Sequence, residues 1–148
     1  MIHKWDHLNH LQLGKYAEYF VKMEFTSTGF DVYTAEVDDK GIDFVVRKDE
    51  NIYYDVQVKS VRGFNYVFFQ KERFDLRKNL LAAVVRFDEG YPPKIYLIPS
   101  LEWSDPNSLL VSHDYVGKKS KPEWGLNISS KNLDLLSKFE FENIVEKL

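Results

Sequence analysis

Cysteine is absent from the 148-residue chain, so neither a disulfide framework nor a thiolate zinc site can staple the fold, and no thiolate can act as a nucleophile. This favours a reducing compartment. Long apolar runs are missing as well. The start, MIHKWDHLNHLQLGKYAEYF, carries polar or charged residues every few positions, and no window approaches the roughly 20 apolar residues of a spanning helix. The expectation is a cytoplasmic protein with no membrane partner. Serine nucleophile elbows, glycine-rich phosphate loops and dinucleotide fingerprints are lacking too, which narrows the enzyme readings. Positive charge is not in excess: the formal net charge is −3 and the pI about 5.8. Such a balance argues against a protein that coats nucleic acid through a global field, but it leaves room for a local basic cleft.

What is present is a folding composition, with 44% hydrophobic, 16% aromatic and 29% charged residues, and no repeat or shift that marks a second domain. One domain over 1–148 is expected, burying roughly 70% of the surface its unfolded chain exposes. From Leu8 to Glu24 apolar residues recur at spacings of three and four, a helix with one buried face and Asp6 as its cap. Phe30 to Glu36 alternates as a half-buried strand. Asp38-Asp39-Lys40-Gly41 is turn chemistry, and Ile42 to Arg47 is almost continuously apolar, as in a strand with helices on both faces. The polar turn Lys48 to Asn51 leads into Ile52 to Val61, where Tyr53, Asp55, Gln57 and Lys59 share one face. Asn65 to Phe69 reads as a short extended piece and Phe74 to Asn79 as a helical turn. Leu80 to Phe87 and Lys94 to Pro99 read as a hairpin. The stretch 103–125, rich in Pro, Ser, Asn, Gly and Lys, is expected as an irregular excursion. A C-terminal helical region follows over about 130–147, with Asn132 to Phe139 and Phe141 to Leu148 in helical pattern and Ser129 or Ser130 as cap. These elements build an α/β sandwich with a central mixed sheet.

Asp43 is the anomaly. An ionisable residue in the apolar run GIDFVV is expensive to bury and needs a partner, a metal or a cleft. One hairpin later, in YYDVQVKSV, Gln57 and Lys59 stand two residues apart and so on one face. Mg²⁺ wants hard oxygen ligands, which the Asp43 carboxylate, the Gln57 amide oxygen and the main-chain carbonyl of Val58 can supply. A lysine beside the ion can position an attacking water and neutralise phosphate charge. The competing reading makes Asp43 and Lys59 a buried ion pair that orders the sheet.

The succession of a helix carrying Glu18 in GKYAEYF, then Gly41-Ile42-Asp43, then Gln57-Val58-Lys59, resembles the PD-(D/E)XK nuclease superfamily. It looks most like the branch with glutamine in place of the middle carboxylate, the Mrr-type endonucleases related to archaeal Holliday junction resolvases. The motif region covers about 8–61. The resemblance implies a restriction endonuclease-like, three-layer α/β/α sandwich and an endonuclease dependent on Mg²⁺, or on Mn²⁺, with DNA as partner. Asp43 matches the metal-binding acid, Gln57 the second metal position, Lys59 the catalytic lysine, and Glu18 the helix acid that approaches the site as a further metal ligand. Two departures stand out: Ile42 replaces the usual proline, and Gln57 removes one negative charge. Asp55 on the same face either compensates or is a solvent-facing acid. The alternative reading is a catalytically degenerate nuclease fold that binds nucleic acid or another protein.

Lys40, Ser60, Arg62, Lys71 and Arg73 are candidate nucleic-acid contacts near the motif, or solvated polar surface. Phe64, Tyr66, Phe68, Phe69 and Phe74 either stack bases or pack in a core or dimer interface. His3, His7 and His10 are expected to be solvent-facing, and Trp103 and Trp124 to anchor the excursion. A nuclease of this size acting on two strands gains from a two-fold homodimer.

Overall fold

The computed structural model describes residues 1–37 and 39–148; Asp38, part of the turn expected before Gly41, lies outside the described residues. Helix α1 spans His10–Ser27 and starts two residues later than its apolar period suggests, because Asn9 rather than Asp6 caps it. Asn9 accepts from the Gln12 N–H and the Gln12 side chain accepts from the Asn9 N–H, a reciprocal capping box. Leu13, Ala17, Val21 and Phe25 form its buried stripe.

Among the described residues eight strands follow: β1 (Asp31–Thr34), β2 (Phe44–Arg47), β3 (Tyr53–Arg62), β4 (Tyr66–Gln70), β5 (Leu80–Phe87), β6 (Lys94–Pro99), β7 (Leu110–His113) and β8 (Glu123–Asn127). Short helices α2 (Leu133–Ser137) and α3 (Phe141–Val145) close the chain. The central sheet runs β1-β2-β3-β5-β6 and is mixed: β3 and β5 are parallel and the other neighbours antiparallel. Both expected hairpins, β2–β3 and β5–β6, are present.

The two faces of this sheet carry separate cores. Val56, Leu81, Ala83, Val85 and Leu97 pack with α1 and with Phe141, Ile144 and Val145 of α3. On the other face Val61, Leu80, Ala82, Val84 and Ile98 pack beneath a second sheet, ordered β4-β8-β7, and beneath Leu136 of α2. The sandwich therefore has helices on one face and a small sheet with a short helix on the other. β2 accordingly alternates between buried and half-buried residues instead of being buried throughout.

Two of these expectations need correction. The stretch 103–125 is not an irregular excursion: it carries β7 and the first residues of β8, both paired in the small sheet. Its polar composition hid the strands, which are short. Phe74 to Asn79 is not helical; a 3-10 turn precedes it at Lys71–Arg73. The C-terminal helical stretch divides between α2 and α3 at the expected place, with Tyr96 and Glu140 bridged and the Leu97 N–H donating to the Phe139 carbonyl at 2.7 Å. No helix among the described residues is long and apolar enough to cross a membrane.

Candidate active site

Residues of β3 alternate faces, and the register of β3 on β5 aligns Gln57 with Ala82 and Lys59 with Val84. Ala82 and Val84 belong to the core under the small sheet, so Gln57 and Lys59 point to that side, away from α1. Val45 pairs with Asp55, which puts Asp43, two residues earlier, on the same face. Asp43 sits where β2 begins and is pinned around Gln57. Its N–H donates to the Val56 carbonyl at 3.0 Å and its Oδ2 accepts the Val58 N–H at 2.7 Å. A strand residue sends its N–H and C=O to the same side, so the Val58 carbonyl also points toward the β2 edge.

The Gln57 amide oxygen lies in a cradle that only glycine permits. Gly41 has φ +79°, and a β-carbon there would come within 3.1 Å of the Arg73 carbonyl and 3.5 Å of Gln57 Oε1. Gln57 Oε1 is buried, and among the described residues nothing donates to it. A buried acceptor of this kind is costly unless something beyond the chain completes it. Lys59 is half-buried, its Nζ 5.8 Å above the Phe69 ring, and among the described residues it has no ion pair.

The Asp43 carboxylate, the Gln57 amide oxygen and the Val58 carbonyl are hard oxygen donors of the kind a divalent cation takes, and the Lys59 ammonium stands on the same face as Gln57. Among the described residues no group of three or more His, Asp or Glu side chains could hold a metal by itself. A centre here would depend on the amide and the main chain.

The other expected residues separate into distinct roles. Glu18 lies on α1, which covers the opposite face, and pairs with Lys22 at 3.0 Å and Lys15 at 3.4 Å. Lys22 Nζ in turn lies 5.5 Å over the Phe44 ring, next in sequence to Asp43. Ser60 faces α1, with its Oγ 4.0 Å from where a β-carbon of Gly14 would sit. Arg62 donates to the Trp5 carbonyl at 3.0 Å and the Leu8 carbonyl at 2.5 Å, tying down the N-terminal segment. Lys71 bonds Ser112 and Asp114, each at 2.7 Å, and lies 3.9 Å over the Trp124 ring. Lys40 and Arg73 are exposed beside Gly41. Asp55 accepts from Arg77 at 2.6 Å, which commits it to an ion pair. His7 and His10 are exposed and His3 half-buried. An open cleft of about 530 Å³, lined by Asn51 to Tyr54, Lys78 and Asn79, lies at the far end of β3 and holds no comparable donor set.

Sequence reasoning missed Phe69 as the floor of Lys59 and the Arg73 main chain as a wall. Neither carries a local signal, because both reach the site through the small sheet and the turn after it.

No protein-family model matches the sequence, and no curated protein matches it either. Among solved structures it is similar to Hjc of Archaeoglobus fulgidus, a Holliday junction resolvase from an archaeal hyperthermophile. The TM-score is 0.56 at 13% sequence identity, covering 91% of this chain and 97% of that one. The chain shares with this resolvase the restriction endonuclease-like fold, a central mixed sheet flanked by helices.

Proposed function

We propose that this protein is a nuclease dependent on a divalent metal and hydrolysing phosphodiester bonds in DNA. The observation that carries the reading is the buried Gln57 amide oxygen, which no described group satisfies, flanked by the two main-chain bonds that pin Asp43. In this reading Asp43, Gln57 and the Val58 carbonyl hold Mg²⁺ or Mn²⁺. The ion, when bound, supplies Lewis acidity toward a phosphate oxygen and lowers the pKa of a coordinated water.

The chain's own groups do the rest. Lys59, backed by Phe69 and without a competing carboxylate among the described ion pairs, presents its ammonium to the attacking water and to a non-bridging phosphate oxygen. Gly41 lets the Arg73 main chain come close beside the Gln57 amide oxygen. Glu18 acts as a positioning acid: its ion pair with Lys22 fixes an ammonium against Phe44 and so braces the start of β2. Lys40 and Arg73, exposed beside the site, take flanking phosphates. DNA is the substrate the similar resolvase suggests. A homodimer would present two such sites to two strands, and the lack of cysteine suits a reducing cytoplasm.

Supercoiled plasmid incubated with Mg²⁺ or Mn²⁺ tests the reading. Wild type is expected to nick or linearise it, and Lys59→Ala to lose that activity while keeping its circular dichroism spectrum. Equal cleavage by both proteins, or none by wild type with either metal, would defeat it and favour a binding-only module.

A further inference from the structure

The small sheet turns one face to the core and the other to solvent. Val67 and Phe69 of β4 are buried, so Tyr66 and Phe68 stand outward, 40% and 45% exposed. Their rings stack at 6.3 Å between centroids. Tyr66 meets His113 at 6.2 Å, and His113 stacks on Tyr115 at 5.4 Å. The four rings thus form a continuous row across the sheet.

Three features hold that row in place. A β-carbon on Gly125 of β8 would come within 2.0 Å of the Tyr66 hydroxyl oxygen and 2.5 Å of the ring carbons beside it, so the glycine is what lets this tyrosine lie across the central strand. The Tyr66 hydroxyl donates to the buried Glu123 carboxylate, fixing the far end of the ring. Tyr115, a non-glycine residue, is held at φ +52°, a left-handed conformation that costs energy. Burial first, and then Glu123, pushes the Tyr66 and Tyr115 phenols above their ordinary value, so both stay neutral donors.

The surrounding charge favours an anionic occupant. Asp114 is neutralised by Lys71 and Glu72 by Lys121, while the Glu123 carboxylate is buried beneath the rings and takes the Tyr66 hydroxyl. Lys118 and Lys119, in the loop that follows Tyr115, are exposed and have no ion pair among the described residues. Flat rings beside unpaired ammonium groups suit a polyanion with aromatic faces of its own. We infer that Phe68, Tyr66, His113 and Tyr115 form a platform on which unpaired bases of single-stranded nucleic acid stack, with Lys118 and Lys119 contacting its phosphates. The inference rests on the nucleic-acid reading above but uses a surface apart from Asp43, Gln57 and Lys59.

Fluorescence anisotropy of a labelled oligothymidylate, in EDTA so that no cleavage occurs, separates the two. Wild type is expected to prefer the single strand to a duplex of equal length. Phe68→Leu, which keeps apolar bulk but removes the ring, is expected to weaken single-strand binding roughly 5- to 100-fold, and Phe68→Trp to restore it. Replacing both Lys118 and Lys119 with alanine is expected to reduce the dependence of affinity on salt. Unchanged affinity in Phe68→Leu, or an equal loss for single strand and duplex, would overturn the platform. So would a wild-type dimer that Phe68→Leu dissociates without altering oligonucleotide binding, which would assign the face to a second copy. Ring-dependent binding with no metal-dependent cleavage would sink the nuclease reading and leave the platform standing.

Discussion

Replacing Gly41 with alanine disturbs the site through the backbone, and a second glycine supplies the control. Gly41 sits at φ +79°, where an L side chain is strained by about 1–2 kcal/mol. Its new β-carbon would also meet the Arg73 carbonyl at 3.1 Å and Arg73 Cβ at 3.3 Å, so the turn after β4 must give by a few tenths of an ångström. Overpacking of this kind adds about 1–3 kcal/mol. Gly29 has φ +92° but nothing within 4 Å of its β-carbon position, so Gly29→Ala carries the strain alone. Thermal unfolding is therefore expected to drop by roughly 2–8 °C for Gly29→Ala and roughly 4–20 °C for Gly41→Ala, at about 2–4 °C per kcal/mol for a chain of this size. Plasmid cleavage should fall only in Gly41→Ala, because only there does the wall beside the Gln57 amide move. Equal melting losses in the two variants, with cleavage retained in Gly41→Ala, would refute the cradle.

The buried indole of Trp103 donates to the Gly125 carbonyl at 2.8 Å beneath the small sheet. Trp103→Ala should cost about 3–5 kcal/mol in urea unfolding, whereas a loss under 1 kcal/mol would mean that the small sheet is not part of the core. The Glu89 carboxyl is held below its ordinary value of 4.5 by the Trp5 N–H first, opposed by desolvation, with the Asp6 N–H adding to it. Its folded pKa is thus below its unfolded one, so the stabilisation is present above the unfolded value and fades as pH falls through the folded value. Glu89→Gln should flatten the acid limb of a melting-temperature profile; an unchanged limb would remove Glu89 from the clasp on the N-terminal segment.

Much of this architecture was legible in the sequence because it is encoded locally. The stripe of α1, the β2–β3 hairpin and the alternation of β3 each follow from short periods, and together they placed Gln57 and Lys59 on one face. Asp43 stood out because an apolar strand should not contain it. The small sheet was illegible for the opposite reason. β4 joins β8 across more than fifty residues, and β7 and β8 are too short and too polar to announce themselves. The charged residues near the motif were misleading for a related reason: composition shows that Arg62 and Lys71 are basic, but only the tertiary fold shows that carbonyls and Asp114 already occupy them. Glu18 likewise matched a pattern along the chain, while its ion pairs are with Lys15 and Lys22 on the layer opposite Gln57.

The central claim is that Asp43 and Gln57 hold a divalent cation, and isothermal titration of Mn²⁺ into the purified chain tests it most directly. The account predicts one site in wild type, lost in Asp43→Ala and tightened in Gln57→Glu, which adds the charge that glutamine lacks. No binding by wild type, or binding that survives Asp43→Ala unchanged, would contradict it.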